Sequence, residues 1–331
     1  MAPMNMTCKN RVLARLERGK GSFVSGGRLA EELGVSRNAV WRAVRALADA
    51  GYDIESVTGK GYRLAPSSSI LSAASIERYL HHPEIQVEYH ETIDSTNSRC
   101  KTLAEGGAPA GTLVVAGQQS AGRGRQGRPF YSPAGTGVYF SLLLRPCFAV
   151  SDVSLVTTYT AVVVSRAIER LFGVRAQIKW VNDVFADGHK VCGILTEASF
   201  DAESGSVAYA VVGIGINVHT PQGGFPEQVA DVARALDDKP ADDDDQRARL
   251  VAAVADAFLD GYDDIPQRAY LDEYRSRSIL DGRDVEVFEG TRSYRAHALG
   301  IDDNFELHVR LADGTERTLA SGEVHIPSGQ L

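Results

Sequence analysis

The run Gly122-Arg123-Gly124-Arg125-Gln126-Gly127-Arg128 follows the apolar stretch Thr112-Leu113-Val114-Val115-Ala116. Glycine lets a backbone approach a ligand closely and adopt positive φ. Arginine presents a planar, permanently charged fork that suits phosphate oxygens. A strand that leads into such a loop is suited to hold a polyphosphate or an acyl phosphate. Taken alone, the heptapeptide also fits a flexible basic surface loop or an RNA-binding patch, so its neighbours decide.

Lys179-Trp180-Val181-Asn182-Asp183 closes an apolar-flanked stretch, and Lys190-Val191-Cys192-Gly193-Ile194-Leu195-Thr196-Glu197 follows the polar turn Asp187-Gly188-His189. Asp94-Ser95-Thr96-Asn97 lies upstream of both and Gly213-Ile214-Gly215-Ile216-Asn217 downstream. In order, spacing and residue type, these five motifs resemble the biotin protein ligase family along most of Ile93 to Asn217. The word biotin comes from that resemblance and not from composition. Two positions depart from the family pattern in and beside these motifs. Val181 stands where proline is usual, and Phe130 where tryptophan is frequent.

The bulk numbers are those of a soluble globular chain, with 331 residues, 44% apolar and 24% charged. That length allows more than one domain. No apolar run approaches a membrane span, and the first twenty residues lack the apolar core of a signal peptide. Cys8, Cys100, Cys147 and Cys192 lie far apart with no paired spacing. This argues against a disulfide framework or a zinc site and fits a reducing cytoplasm. The eight histidines show no ligand spacing. Charge is uneven: residues 1–66 hold eleven Lys/Arg against six Asp/Glu, in a chain whose formal net charge is −8. A basic piece on an acidic body points to one module that meets a polyanion. The acid run Asp242 to Asp245 reads as a solvated loop.

The basic piece has its own pattern. Val12, Leu13 and Leu16 form one apolar stripe, and Leu29 and Leu33 a second. Gly34 breaks the chain, and Ser36 is a good N-cap for a helix running to Ala50. In that helix Val40, Val44 and Leu47 share one face. The opposite face carries Arg37, Trp41 and Arg45, with Asn38 and Arg42 beside them. The alternating residues around Thr58-Gly59-Lys60-Gly61 read as a β-hairpin. This is a winged helix-turn-helix, whose last helix would lie in the major groove. The segment also resembles the winged module of the bifunctional ligases that repress biotin synthesis genes. The candidate DNA-binding residues are Ser36, Arg37, Asn38, Trp41, Arg42, Arg45 and Lys60; Trp41 reads as a cover for the second helix, with stacking on the duplex backbone as the alternative. Ala65-Pro66-Ser67-Ser68-Ser69 reads as a linker.

Beyond it, Val138 to Leu144 reads as a buried strand, Leu155 to Phe172 as a long helix, and Val174 to Trp180 and Ala208 to Ile214 as strands. The order suggests an α+β domain with a mixed sheet, which the resemblance makes class II synthetase-like. From Asp284, alternation through Val285, Val287, Tyr294, Ala296, Ala298, Phe305, Leu307, Val309 and Leu311 reads as a small SH3-like barrel of the kind the family carries. Ser321-Gly322-Glu323-Val324 resembles its closing motif, while Pro327 replaces a residue that is often basic there. The expected architecture is thus α+β multidomain. Its expected parts are a winged helix-turn-helix at 1–65, a ligase catalytic domain at 70–278 and an SH3-like domain at 279–331.

The resemblance implies that biotin and ATP become biotinyl-adenylate and pyrophosphate, and that a lysine of a biotin carboxyl carrier protein then attacks the mixed anhydride. Aligning an acid oxygen with the α-phosphorus and neutralising the growing charge calls for cations. Arg125, Lys179 and Lys190 are the implied catalytic residues. Ser95, Thr96, Asn97, Gln118, Gly122, Arg123, Gly124, Arg125, Lys190 and Gly193 would hold biotin. Arg125, Arg128, Phe130, Lys179, Asn182 and Asn217 would hold ATP. Asp183 is the candidate Mg²⁺ ligand, since that ion often uses one carboxylate plus substrate phosphates. No acidic partner for Lys190 is evident in the sequence. Ser-Thr-Asn alone is also a common turn or cap. The implied partners are the carrier domain, operator DNA and a second copy of the chain in a homodimer with biotinyl-AMP. Two other functions remain open from sequence: a DNA-binding effector sensor without catalysis, and a lipoate or octanoate ligase on the same scaffold.

Overall fold

Hydroxyl caps start each helix of the N-terminal unit. In a computed structural model, which describes residues 7–68, 70–201, 203, 205–237, 245–290 and 292–327, Thr7 accepts from Asn10 N ahead of α1 (Cys8–Arg18). Ser25 does the same for α2 (Gly26–Leu33) and Ser36 for α3 (Arg37–Asp49). Such caps satisfy donors that the helix leaves orphaned, at about 1 kcal/mol each. Val12, Leu13, Leu16, Leu29, Val40, Val44 and Leu47 meet in one core, as their spacing requires. The wing, β1 (Ile54–Val57) and β2 (Gly61–Leu64), pairs antiparallel with Ile54 opposite Leu64. Gly61 is needed there: its φ is +101°, and an added Cβ would sit 2.1 Å from Val24 O.

This unit comprises Met1–His81 with Lys239–Ala252. It therefore includes α4 (Ala73–Glu77) and the residue before the later helix that starts at Gln246. Asp242 to Asp244 lie outside the described residues. Asp245, expected as part of a solvated loop, is instead 8% exposed and accepts from Lys20 Nζ at 2.8 Å and Tyr79 Oη at 2.8 Å. A short-range pattern of four acids cannot report a lysine 225 positions away. Glu17 lies beside this pair, 2% exposed. Burial pushes its carboxyl up to about 7, against the charges of Lys20 and Arg78.

The second unit, His82–Asp238 with Ala253–Leu331, is built on a mixed seven-stranded sheet. Its strands are β3 (Gln86–Ile93), β4 (Thr112–Gln119), β5 (Gly137–Leu144), β6 (Ala176–Lys179), β7 (Asp183–Ala186), β8 (His189–Phe200) and β9 (Val207–Asn217), in the spatial order β3-β4-β5-β9-β8-β7-β6. β3 and β4 are parallel, joined through α5 (Thr96–Glu105); the other neighbours are antiparallel. Every residue of β5 is buried, which explains a continuous rather than alternating apolar run. α6 (Leu155–Phe172) carries Val156, Ala161, Val162, Val164 and Ile168 into the core. The short α7 (Glu227–Ala230) and then α8 (Gln246–Asp260) and α9 (Leu271–Arg277) follow β9.

The chain ends in an antiparallel five-stranded sheet of β10 (Asp284–Glu289), β11 (Arg292–Ile301), β12 (Leu307–Leu311), β13 (Glu316–Leu319) and β14 (Glu323–His325), ordered β13-β12-β11-β10-β14. Val285, Val287, Ala296, Ala298, Leu307 and Val309 are buried at alternate positions. Trp180 fixes the β6–β7 turn: its indole donates to Phe305 O at 2.8 Å, and Tyr274 Oη donates to Val181 O at 3.2 Å. The Trp180–Val181 peptide is cis. All four cysteines are free thiols. Among the described residues no helix is long and apolar enough to cross a membrane.

Candidate active site

β8 and β9 supply a floor rich in glycine. Gly193 lies opposite Gly215, and Leu195 opposite Gly213. A Cβ on Gly213 would sit 2.0 Å from Asn97 Oδ1, and one on Gly215 would sit 2.4 Å from the Phe130 ring. The missing side chains open a cavity of about 550 Å³, a size that suits a small molecule. One end of it is neutral and polar, and one side is cationic.

The polar end comes from the start of α5. Ser95 caps that helix, accepting from Ser98 N at 3.5 Å, so the simple capping role of a Ser-Thr-Asn stretch does occur. Thr96 donates through its N to Gln119 Oε1 at 2.9 Å. Asn97 Nδ2 donates to Glu197 Oε2 at 2.9 Å and Leu195 O at 3.3 Å, and Asn97 Oδ1 lies 2.6 Å from Ser141 Oγ. The glutamine on this wall is Gln119, not Gln118. Gln118 is absent from the cavity lining, because successive strand residues point to opposite faces and the phase of β4 turns Gln119 inward. Gly122 also stays behind the lining. Its place is steric, since a Cβ there would lie 2.4 Å from Phe130 O.

On the cationic side, four of the five cations have a side-chain partner. Arg123 NH2 donates to Glu197 Oε1 at 3.1 Å, Arg125 NH1 to Asn182 Oδ1 at 3.0 Å, and Arg128 to Glu323. Lys190 Nζ lies 2.7 Å from Asp183 Oδ1, so the lysine that lacked an acidic partner in sequence has one across the β7–β8 hairpin. Asn182 Nδ2 donates to Asp183 Oδ1 and to Ile194 O. Burial pulls the Lys179 ammonium below the ordinary lysine range, with Asp183 opposing the shift. Gly124, Phe130 and Asn217 also line the cavity. The Phe130 ring lies over the glycine floor, edge-on to Tyr139 at 6.4 Å.

Several lining residues escaped the sequence reading. Phe225, Val229, Val232 and Ala233 form an apolar wall beside and after α7. Lys190 N donates to Val232 O at 2.7 Å, and Arg234 N to Lys190 O at 3.0 Å, which holds that wall to β8. The signal available was Phe225, Val229 and Val232 at near-helical spacing in a polar stretch. Ser141, buried beneath Asn97, was legible as the one serine in an apolar strand. Glu323 and His325 reach the cavity from β14. Among the described residues there is no cluster of three or more His, Cys, Asp or Glu able to hold a metal ion.

The N-terminal unit presents a different surface. Arg37, Asn38, Trp41, Arg42 and Arg45 are all exposed on α3, and Lys60 is exposed on the wing. Ser36 spends its hydroxyl on the cap, accepting from Ala39 N at 3.1 Å. Trp41 is 48% exposed and carries the Arg45 guanidinium 5.6 Å from its ring centroid. It belongs to the open basic face rather than being buried against α2.

Residues 89–217 match the biotin/lipoate A/B protein ligase family and residues 9–63 match an HTH domain. The bifunctional ligase/repressor BirA of Bacillus subtilis (strain 168) is 33% identical over 320 residues, covering 95% of this chain and 97% of that protein. Its namesake from Escherichia coli (strain K12) is 29% identical over 322 residues, covering 94% and 95%. The solved biotin protein ligase from Aquifex aeolicus in complex with biotin and ATP is similar at a TM-score of 0.58 and 28% identity, over 72% of this chain and 97% of that one. A glycine-floored cavity lined by cations thus sits in a chain aligned almost end to end with ligase/repressors. The protein belongs to the biotin/lipoate A/B protein ligase family, in the form that carries an N-terminal helix-turn-helix domain.

Proposed function

We propose that the protein is a biotin protein ligase that also acts as a biotin-responsive repressor. The observation that carries the first half is the cavity: a polar pocket at the start of α5, a glycine floor, and Arg123, Arg125, Lys179 and Lys190 along one side. A carboxylate oxygen of biotin attacks the α-phosphorus of ATP. The bond to the β-phosphate oxygen breaks, and pyrophosphate leaves with its electron pair. Lys190 and Arg125 neutralise the acyl and phosphate oxygens, exchanging Asp183 and Asn182 for them. Lys179 and Arg128 serve the departing phosphates. Phe130 and the apolar wall of Phe225, Val229 and Val232 exclude water from the mixed anhydride. A lysine of a biotin carboxyl carrier domain then attacks the acyl carbon and AMP leaves.

Magnesium suits this site as an ion that arrives with ATP. Asp183 offers one carboxylate beside the cations, and hard divalent ions are often held by one carboxylate plus phosphate oxygens. Asp183 would hold it, and its charge would help neutralise the triphosphate. We assign the parts as 1–65 for DNA, 70–278 for catalysis and 279–331 for the small barrel. We place the protein in the cytoplasm, where ATP and carrier are found. One helix-turn-helix covers a half-site, so repression implies a homodimer on a two-fold operator.

Incubation with labelled biotin, ATP and a carrier fragment tests the catalytic half. Label should appear on the carrier lysine only when ATP is present. Transfer of lipoate or octanoate without transfer of biotin would move the protein to the other branch of its family. An operator shift without any transfer would leave only a sensor.

A further inference from the structure

Glu197 is the acidic hub beside the cavity, and none of the roles above uses it. Its Oε1 accepts from Lys101 Nζ at 2.5 Å and from Arg123 NH2 at 3.1 Å, and its Oε2 accepts from Asn97 Nδ2 at 2.9 Å. One carboxylate therefore joins two residues of α5 to the first arginine of the glycine-arginine loop. The three ties differ in kind. Asn97 is buried, and its amide has a second donor contact to Leu195 O and an acceptor contact with Ser141, so its orientation is set from both ends. Lys101 lies outside the cavity lining, whereas Arg123 is part of it. The Arg123 side chain is 48% exposed against 20% for Glu197. An ion pair with so open a partner contributes little and is easily exchanged. Burial acts to raise the Glu197 pKa, yet the bonds from Lys101 and Asn97 hold it below the usual carboxylate range, so it stays charged.

Resting on the ligase reading, we propose that Glu197 is a positioning residue that parks Arg123 at the cavity edge, and that Lys101 is the standing counter-ion that lets Arg123 leave for an anionic oxygen of the ligand. Stripping a half-buried carboxylate of its only cation costs stability. With Lys101 in place, Arg123 transfers from Glu197 to a ligand carboxylate or acyl-phosphate oxygen without leaving that cost behind.

The test is a set of full-length variants assayed for biotin-dependent pyrophosphate exchange, with melting as a fold control. Lys101→Met leaves Arg123 as the only cation on Glu197. The KM for biotin should rise about fivefold, the KM for ATP should stay put, and the difference should narrow at high salt. Adding Glu197→Gln to Lys101→Met should return the biotin KM to that of Glu197→Gln alone. Glu197→Gln alone should speed adenylate dissociation about threefold, and should add nothing in an Arg123→Ala background. The Arg123 side chain is 48% exposed and that of Lys101 30% exposed, neither in the core, so those variants should fold. A silent Lys101→Met, a double variant without rescue, or an equal effect of Glu197→Gln with and without Arg123 would overturn the proposal while the ligase reading stands. A wild-type chain without biotin-dependent exchange would remove that reading and the proposal with it.

Discussion

The chain carries two sets of cations, and they are kept in opposite ways. On α3 and the wing, Arg37, Arg42, Arg45 and Lys60 are exposed and make no ion pair among the described residues. Around the cavity, Arg123, Arg125, Arg128 and Lys190 each have a protein acceptor, namely Glu197, Asn182, Glu323 and Asp183. The first arrangement suits a long polyanion, whose binding gains by releasing condensed counter-ions rather than by filling a shaped site. The second suits a small anion that must displace a partner of similar geometry. Water is the competitor in one case and a neighbouring side chain in the other.

The strongest way to break this comparison is to remove one region. Deleting residues 1–65 should abolish operator binding in a gel shift, while adenylate formation persists. A fragment that still shifted its operator would relocate the DNA-binding surface to residues beyond 65.

Next in size are substitutions in the matched set. Lys190→Ala leaves Asp183 without its cation and the acyl oxygen without a donor. Adenylate formation should fall roughly 100-fold, the scale of losing one preorganised electrostatic contact, with melting little changed. Arg125→Gly should raise the adenylate off-rate about tenfold, since a charge-assisted contact of about 1.5 kcal/mol corresponds to that factor. An unchanged rate in a stopped-flow chase would exclude Arg125 from the bound ligand.

Substitutions in the open set should be milder and additive. Arg42→Ala should weaken binding to operator and to random DNA alike, and lower the salt slope by about one if Arg42 meets a phosphate. An effect confined to operator would make it a base contact instead. Exchange kinetics should not respond.

The smallest effects are those of pH. Lys179 serves phosphate only when protonated, and burial lowers its pKa. Exchange should therefore decline with rising pH in a limb below the usual lysine value of 10.5, and Lys179→Arg should flatten that limb. Glu17 shifts the other way, with a folded pKa of about 7 against 4.5. The folded N-terminal unit holds this proton more tightly than the unfolded chain does. The resulting stability is fully present below 4.5 and is lost as pH rises through about 7, a change on the order of 3 kcal/mol. Melting of the N-terminal unit followed from pH 5 to pH 8 should show it, and Glu17→Gln should remove most of the slope.

Local patterns carried most of the fold. Val40, Val44 and Leu47 specify the buried face of α3, Ser36 its start, and the alternation from Val285 to Val309 the terminal sheet. The same patterns located the glycine-arginine loop and most of the cavity. What they missed depends on registration between distant strands. The choice of Gln119 over Gln118 turns on the phase of β4. The Asn97–Glu197 and Arg123–Glu197 bonds join residues 100 and 74 positions apart, which no window of sequence can see. Asp245 was misread for the same reason. The wall at Phe225, Val229 and Val232 shows a near-helical spacing, but only Glu227–Ala230 of it is helix, so the spacing alone does not mark it as a cavity wall.

The account stands most directly on one assay, pyrophosphate–ATP exchange by the full-length protein with and without biotin. Exchange that needs biotin and magnesium, and that Lys190→Ala suppresses, is the expected result. Exchange supported by lipoate but not by biotin, or no exchange with either acid by a folded protein, would contradict it.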